Sequence, residues 1–359
     1  MAAFQHKGAT MRVLIAAPHN PLNPYCRELG RGYYEQGCEV LYGLDQFWTG
    51  HAGVDIVHLH WPEMLAPVEF DAAENARRIG RRLDEWRRTA TVIATVHNSE
   101  PHVPFDGWHE VFESSYSQCD GIVHHGERSR QWFAGSFPRL GAIPSAIVPH
   151  GNYLCFPSGV SRARARERLG LGQDDRVVVV FGRTRTGDEL RLLGSGLRKA
   201  KVPRLHLLLS DSFQVRRLGW IRNVLARRWH LAGVQYRLFP GVLPPGEVGT
   251  PLAAADLLVV QRQSGLNSGN VPLAFSFGLP VVSADTGVFG ELVKKHGNFT
   301  FAPGRAEGLA ASLERAFSTD LPALGLRNRA VAENEWSWSA IARQVLDFIS
   351  RLSPGSVSA

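Results

Sequence analysis

Arg176-Val177-Val178-Val179-Val180-Phe181-Gly182-Arg183-Thr184-Arg185-Thr186-Gly187 is the stretch on which the fold turns. Four consecutive valines crowd a helix but suit a strand, so 176–181 reads as the clearest buried strand in the chain. The glycines and arginines behind it read as the loop that leaves the strand. Further apolar runs follow at 205–209, 235–239, 256–260, 280–283 and 298–301, most of them separated by longer mixed segments of helical character. Upstream the same alternation occurs at 12–17 (RVLIAA), 39–42, 55–59, 91–96, 121–124 and 145–148. Between these runs, 25–36 reads as a helix stopped by Gly37, and 71–88 and 108–118 read as two more. Strands joined by crossover helices form parallel sheets. The predicted fold class is therefore α/β with two Rossmann-like parallel sheets in tandem. The join lies in the proline-, glycine- and serine-bearing segment 149–161, so the expected domains are 1–155 and 156–335.

Composition agrees with this. The 359 residues exceed one ordinary core, and 44% hydrophobic with 20% charged residues is enough to bury two. Four scattered cysteines, with no CxxC pair, argue against a disulfide framework or a zinc site. No apolar run approaches the ~20 residues that span a bilayer, and no apolar leader is visible, so a cytoplasmic location is expected. The net charge of +7 suggests anionic partners. With no nucleic-acid module in the pattern, nucleotide phosphates and an acidic lipid surface remain, and no nucleic acid is expected.

Ligands of open parallel sheets bind beyond the carboxyl ends of the strands, so residues just past the strand ends are the functional candidates. The first strand runs into Pro18-His19-Asn20-Pro21-Leu22-Asn23-Pro24, a stiff loop that either receives an acceptor or phosphate near Asn20 or serves the structure alone. The third ends in His58-Leu59-His60-Trp61-Pro62-Glu63. His58 and His60 share a face, but without a third ligand nearby no metal site is expected. Trp61 suits stacking on a sugar ring, and Glu63 suits proton abstraction from an acceptor hydroxyl. The competing reading is a capping carboxylate beside a packing tryptophan. His97 stands at the next strand tip, where imidazole can bond the donor sugar or act as a base. The loop behind it, with Glu100, His102 and Asp106, is a second source of a base. His150 lines the site or packs at the join.

In the second half, Arg183 and Arg185 offer paired donors to diphosphate oxygens, or else form an exposed basic turn. The segment is neither a GxGxxG fingerprint nor a P-loop. The stretch Gln261-Arg262-Gln263-Ser264-Gly265-Leu266-Asn267-Ser268-Gly269-Asn270 then leads into 271–277 and Gly278-Leu279-Pro280. A polar, glycine-rich loop entering a helix aims the backbone N–H groups of Ser268, Gly269, Asn270 and Val271 at an anion. No DxD pair sits at a strand end, so neither a metal nor any cofactor besides the nucleotide-sugar substrate is expected.

At these residues the chain resembles GT-B glycosyltransferases of the family-4-like group, and within it bacterial exopolysaccharide mannosyltransferases of the xanthan-assembly type. The carriers are RVLIAAPHNPLNPYCRELGRGYYEQGCEV, DIVHLHWPE, TVHN, IVPHGNY, FGRTR, SGLNSGNVPLAFSFGLPVVSADTGVFGELV and NEWSWSAIARQVLDFI, spread over nearly the whole chain. The resemblance implies two domains facing a cleft, with a final helix over 336–352, begun by Trp336 and Trp338, crossing back to the first domain. It further implies a phosphate-binding role for Arg185, a donor-facing role for His97 and a donor contact for Glu291. The lysine that usually follows is replaced by Gly187-Asp188. The two glutamates that retaining members carry eight positions apart are also missing, with Gln261, Gln263 and Asn270 in that region.

The expected function is an inverting, metal-independent transfer of a hexose from a nucleotide-diphosphate sugar, GDP-mannose among the candidates, to a glycan or polyprenyl-linked saccharide. The donor is expected on the second domain, and the acceptor on the first near Asn20, His60 and Trp61. Two rivals are a sugar-nucleotide epimerase of the same fold and a non-catalytic nucleotide-sugar-binding protein. Two basic amphipathic segments bear on a peripheral place at the inner face of a membrane. In 75–88, Arg77, Arg78, Arg81, Arg82 and Arg88 oppose Ile79, Leu83 and Trp86. In 216–231, Leu218, Ile221, Leu225 and Trp229 form a stripe among five arginines. Either the stripes pack on their own sheets, or the arginines face acidic lipid.

Overall fold

The computed structural model describes residues 10–20, 22–50, 53–67, 69–157, 159–211 and 220–352. The chain divides into two units, residues 1–151 with 336–359, and residues 152–335. Each is built on one six-stranded sheet in which every pairing is parallel.

In the first unit the strands are β1 (Arg12–Ala16), β2 (Glu39–Tyr42), β3 (Ile56–His60), β4 (Thr91–Val96), β5 (Gly121–His124) and β6 (Ser145–Ile147), in the order β2-β1-β3-β4-β5-β6. In the second they are β7 (Arg176–Val180), β8 (Leu205–Asp211), β9 (Gln235–Pro240), β10 (Leu257–Val260), β11 (Val281–Ala284) and β12 (Phe299–Phe301), in the order β12-β11-β10-β7-β8-β9. Strand order therefore reverses between β1 and β3 in one sheet and between β7 and β10 in the other. In sheets of this kind ligands bind at those two points.

The central strands are apolar on both faces because helices cover both. Val177, Val178, Val179 and Val180 are all fully buried, and Val178 and Val180 pack with Leu190, Leu193, Leu207, Leu209 and Leu309. In the first unit, the helix Trp338–Ile349 lies against the helix Tyr25–Glu35 and buries Trp338, Ile341, Ala342, Val345, Phe348 and Ile349. Close approach needs glycine there. A Cβ on Gly32 would stand 2.2 Å from the carbonyl oxygen of Trp338, and one on Gly151 would stand 2.4 Å from its indole. Burial of each large apolar side chain contributes roughly 1.5–3 kcal/mol, so the C-terminal helix is an integral part of the first core.

The two amphipathic segments behave differently. In the helix Ala72–Arg87, Ile79, Leu83 and Trp86 are buried. Its arginines are largely occupied: Arg77 and Arg81 by Glu74, Arg82 by Glu85 and the carbonyls of Phe47 and Gly50, and Arg78 over the Phe70 ring. In the helix Trp220–His230, by contrast, Leu225 and Trp229, one turn apart, are 59% and 80% exposed, so this part of the stripe does not pack on its sheet. Arg228 is exposed beside them, while Arg227 pairs with Asp211. Arg216, Leu218 and the side chain of Ile221 lie outside the described residues.

Candidate active site

In the second unit the loops behind β7 and β10 meet at the point of strand reversal. Gly182 takes φ 81°, a left-handed turn that swings the chain off β7. The loop is then tied to the β10 loop. Asn270 Nδ2 donates to the Phe181 carbonyl at 2.8 Å, and Arg262 Nη2 donates to the Arg183 carbonyl at 2.8 Å. Gln261 Nε2 lies 3.4 Å from the same Arg183 oxygen. Thr186 caps the helix Gly187–Lys199, its hydroxyl accepting from Glu189 N at 3.2 Å. Glu189 reaches back with one oxygen to Arg185 N at 2.7 Å and with the other meets Arg262 Nη1 at 2.9 Å.

Arg183 and Arg185 stand exposed on this loop, while Glu189 is buried. The Arg185 pKa is drawn below the usual guanidinium value, first by partial burial and then by Arg262, with Glu189 opposing and Arg183 adding to the fall. Arg262 thus pairs with Glu189, and the exposed Arg183 and Arg185 stand on the same loop, so arginine outnumbers carboxylate around this point.

Gly269 and Asn270 begin the short helix Asn270–Ser276; Ser268 Oγ accepts from Asn270 N at 3.3 Å, and Val271 is buried. Gly269 has no room for a side chain, since a Cβ would come 2.6 Å from the Tyr153 hydroxyl. Gly287, at φ 56°, lets the helix Gly287–Lys295 abut residues 265 and 266, where Val288 N bonds the Leu266 carbonyl at 2.7 Å. Glu291 lies one turn into that helix and is half-buried. Ser268, Gly269, Asn270, Val271, Arg183 and Arg185 are therefore held in one constellation by the hydrogen bonds above, with Glu291 on an adjoining helix.

In the first unit, the ends of β3, β4, β5 and β6 carry histidines around Tyr25. The Tyr25 ring is 4.7 Å from His97, 4.8 Å from His150, 5.0 Å from Trp338 and 5.5 Å from His60, centroid to centroid. His60 Nδ1 lies 2.9 Å from His97 Nε2. His58 is held by the Tyr33 hydroxyl at 2.9 Å and the Thr95 hydroxyl at 2.7 Å. Burial, reinforced by the neighbouring rings, pushes the pKa values of His60 and His97 well down, and those of His58 and His125 to about 3 and about 4. These imidazoles are neutral near pH 7, which suits hydrogen bonding and makes His97 a weak proton acceptor. No group of three or more His, Cys, Asp or Glu side chains able to hold a metal occurs among the described residues.

Trp61 takes φ 52°, left-handed geometry that costs a residue with a Cβ roughly 1–2 kcal/mol. It is stacked on His97 at 4.3 Å and 21°, and it precedes the 3-10 turn Pro62–Leu65. That turn points Glu63 inward. Its side chain is 5% exposed, one oxygen 2.9 Å from Nδ1 of the exposed His102 and the other buried with no hydrogen-bond partner among the described residues. Asn20 is exposed, its Oδ1 accepting from Leu22 N at 3.0 Å in the loop behind β1. His60, Trp61 and His97 are thus in contact. Glu63 follows in the next turn, and Asn20 stands on the neighbouring loop, beside the second strand-order reversal.

Sequence reasoning passed over Glu189, Arg262 and the Glu63–His102 pairing. Thr186-x-x-Glu189 is a capping-box spacing and was a usable signal for the first. The other two join residues far apart in sequence.

No family model matches the chain, and no curated protein matches it. Among solved structures it is similar to sucrose-phosphate synthase of Thermosynechococcus elongatus (17% identity, TM-score 0.72, covering 95% of this chain and 99% of that one). It is also similar to Anabaena HepE in complex with UDP (14%, TM-score 0.72, 96% and 100%) and to a glycosyltransferase of Rickettsia africae (12%, TM-score 0.70, 96% and 98%). HepE has also been solved with UDP-glucose. Two tandem units on parallel six-stranded sheets, matched over nearly their full length by these proteins, have the GT-B fold.

Proposed function

We propose that the chain is a glycosyltransferase that moves a hexose from a nucleotide-diphosphate sugar to a saccharide or polyprenyl-linked acceptor, with inversion and without a metal. The observation that carries this reading is the basic, glycine-bearing constellation at the β7/β10 reversal. Arg183, Arg185 and Arg262 gather there around the single buried carboxylate of Glu189, a basic surrounding that suits a donor diphosphate, and they stand where this fold class receives ligands. Arg183 and Arg185 hold the diphosphate, together with the N–H groups of Ser268–Val271, and Glu291 contacts the donor. Sucrose-phosphate synthase and the UDP and UDP-glucose complexes of HepE, which share the fold, support a nucleotide-sugar donor. GDP-mannose remains the candidate suggested by the sequence resemblance.

The acceptor lies in the first unit along Asn20, His60 and Trp61, with the Trp61 face against a sugar ring. Glu63 and His102 act together as proton acceptor: the inward carboxylate fixes the orientation of the outward imidazole, and the pair takes the proton as the acceptor hydroxyl attacks the anomeric carbon. His97, held neutral, bonds a sugar hydroxyl. Inversion is favoured by the β10 loop, which has Gln261, Gln263 and Asn270 in the region where retaining members carry two glutamates. The exposed Leu225 and Trp229, with Arg228, favour peripheral contact with anionic lipid at the inner face of the membrane.

Incubation of the protein with UDP-, GDP- and ADP-sugars, each with and without saccharide acceptors, tests this. Transfer only when acceptor is present supports the reading, and the anomeric coupling constant of the product reports inversion. Products formed from donor alone mean an epimerase. Binding without turnover of any donor means a nucleotide-sugar-binding protein.

A further inference from the structure

We infer that the Glu189–Arg262 ion pair is a strut that sets the 181–186 loop before the donor arrives, so that Arg262 acts on the diphosphate through Arg185 without touching it. This rests on the donor reading above. Loop 181–186 is anchored at its middle by the fully buried Thr184, with exposed arginines on either side. Glycine stands at its start, at φ 81°, and again just past its end, and its two arginines repel each other. Asn270 Nδ2 holds the Phe181 carbonyl at the loop's first residue, and three further bonds converge on one pair of side chains. Glu189 accepts from the amide of Arg185 at 2.7 Å and from Arg262 Nη1 at 2.9 Å, while Arg262 Nη2 donates to the carbonyl of Arg183 at 2.8 Å. The backbone on both sides of Thr184 is thereby clamped by a single carboxylate–guanidinium unit.

Both members are largely out of solvent, at 6% and 14% side-chain exposure, so the pair is poorly screened and neither partner tolerates loss of the other. The planar fork of arginine is needed, because two N–H groups in fixed geometry serve a carboxylate and a carbonyl at once, and a lysine ammonium has no such fork. Arg262 already spends its donors inside the protein, whereas Arg183 and Arg185 stand outward. Arg262 is therefore a positioning residue. Its contribution to donor affinity lies in pre-ordering the loop, which lowers the ordering cost paid on binding.

The test is a double-mutant cycle read by calorimetric titration with UDP, GDP and ADP, together with amide hydrogen exchange of the unliganded protein. R262Q is expected to raise exchange at residues 183–186 and to weaken the nucleotide the wild type binds by tenfold or more, with R262K falling between. On an Arg185→Ala background, R262Q is expected to cause a smaller loss than in the wild type, because only Arg183 is then left for the ordered loop to present. If the two substitutions are additive, or if R262Q leaves loop exchange unchanged, the strut is overturned while the donor reading stands. If the wild type binds none of the three nucleotides, the donor reading itself fails and takes the strut's role with it. A uniform rise in exchange across the second unit in R262Q would mean general destabilisation and would also overturn the proposal, since the strut requires the change to be confined to the loop.

Discussion

Lowering the pH should unfold the first unit well before ordinary acid denaturation. The perturbation falls on the imidazoles packed at the ends of β3 to β6. Burial pushes His58, His124 and His150 to about 3 and His125 to about 4, with His125 repelling the other three. The ordinary value in an unfolded chain is ~6.5. Because the folded values lie lower, the unfolded chain binds more protons below pH ~6.5, and stability falls as pH drops from there toward the folded values. Between pH 7.5 and 5 each such histidine costs about 2 kcal/mol, so the four taken as independent cost about 8 kcal/mol. That approaches the whole stability of an ordinary domain, about 5–15 kcal/mol. Thermal melting at pH 7.5, 6.5, 5.5 and 5 followed by tryptophan fluorescence is the assay. Of the nine tryptophans only Trp220 and Trp229 lie in the second unit, so the signal reports mainly the first. A fall of several degrees per pH unit below 6.5 is expected, and His125→Gln should flatten the slope by about 1.4 kcal/mol per pH unit. A melting temperature that stays level from pH 7.5 to 5 would refute the reasoning, because buried neutral imidazoles cannot be indifferent to protons.

Arg185→Ala should weaken nucleotide-diphosphate binding by about 1.5–3 kcal/mol, the range for hydrogen bonds to charged groups, and unchanged affinity by titration would remove Arg185 from the donor site. Glu63→Gln should lower turnover about 10²–10⁴-fold with donor affinity intact, checked by initial rates against a donor titration. Gly287→Ala puts a Cβ at left-handed φ and 2.3 Å from the Gly265 carbonyl, so it should cost about 1–3 kcal/mol in denaturant unfolding. Liposome sedimentation should show binding to anionic and not neutral vesicles, lost at high salt and lost in Trp229→Ser; equal behaviour on both vesicle types would leave Leu225 and Trp229 without a lipid role.

Much of the scaffold was legible because its signals are local. The valine run of β7 and the glycine stop at Gly37, which does take φ 85°, depend on backbone sterics that neighbours in sequence decide. The capping box Thr186-x-x-Glu189 belongs to the same local kind and was open to reading. The apolar stripe of 75–88 is legible as one face of a helix, but only packing shows it buried, since periodicity says that a face is apolar and not what covers it.

The sequence by itself determined two parallel-sheet halves, and it named the loops beyond the strand ends as the places to look, because strand and crossover signals repeat along the chain. Only tertiary structure decided which loops are neighbours. Strand order β12-β11-β10-β7-β8-β9 sets residues 181–186 beside 261–270, nearly eighty positions apart, and this order follows from how the helices pack rather than from any local pattern. The same holds for Glu63. Its place next to a tryptophan at a strand tip was visible, but its inward turn and its pairing with His102, 39 residues away, arise from a left-handed Trp61 that stacks on His97. Side-chain burial and long-range pairing are properties of the assembled core, and they are what turn a list of polar residues at strand ends into a carboxylate held inside and an imidazole held out.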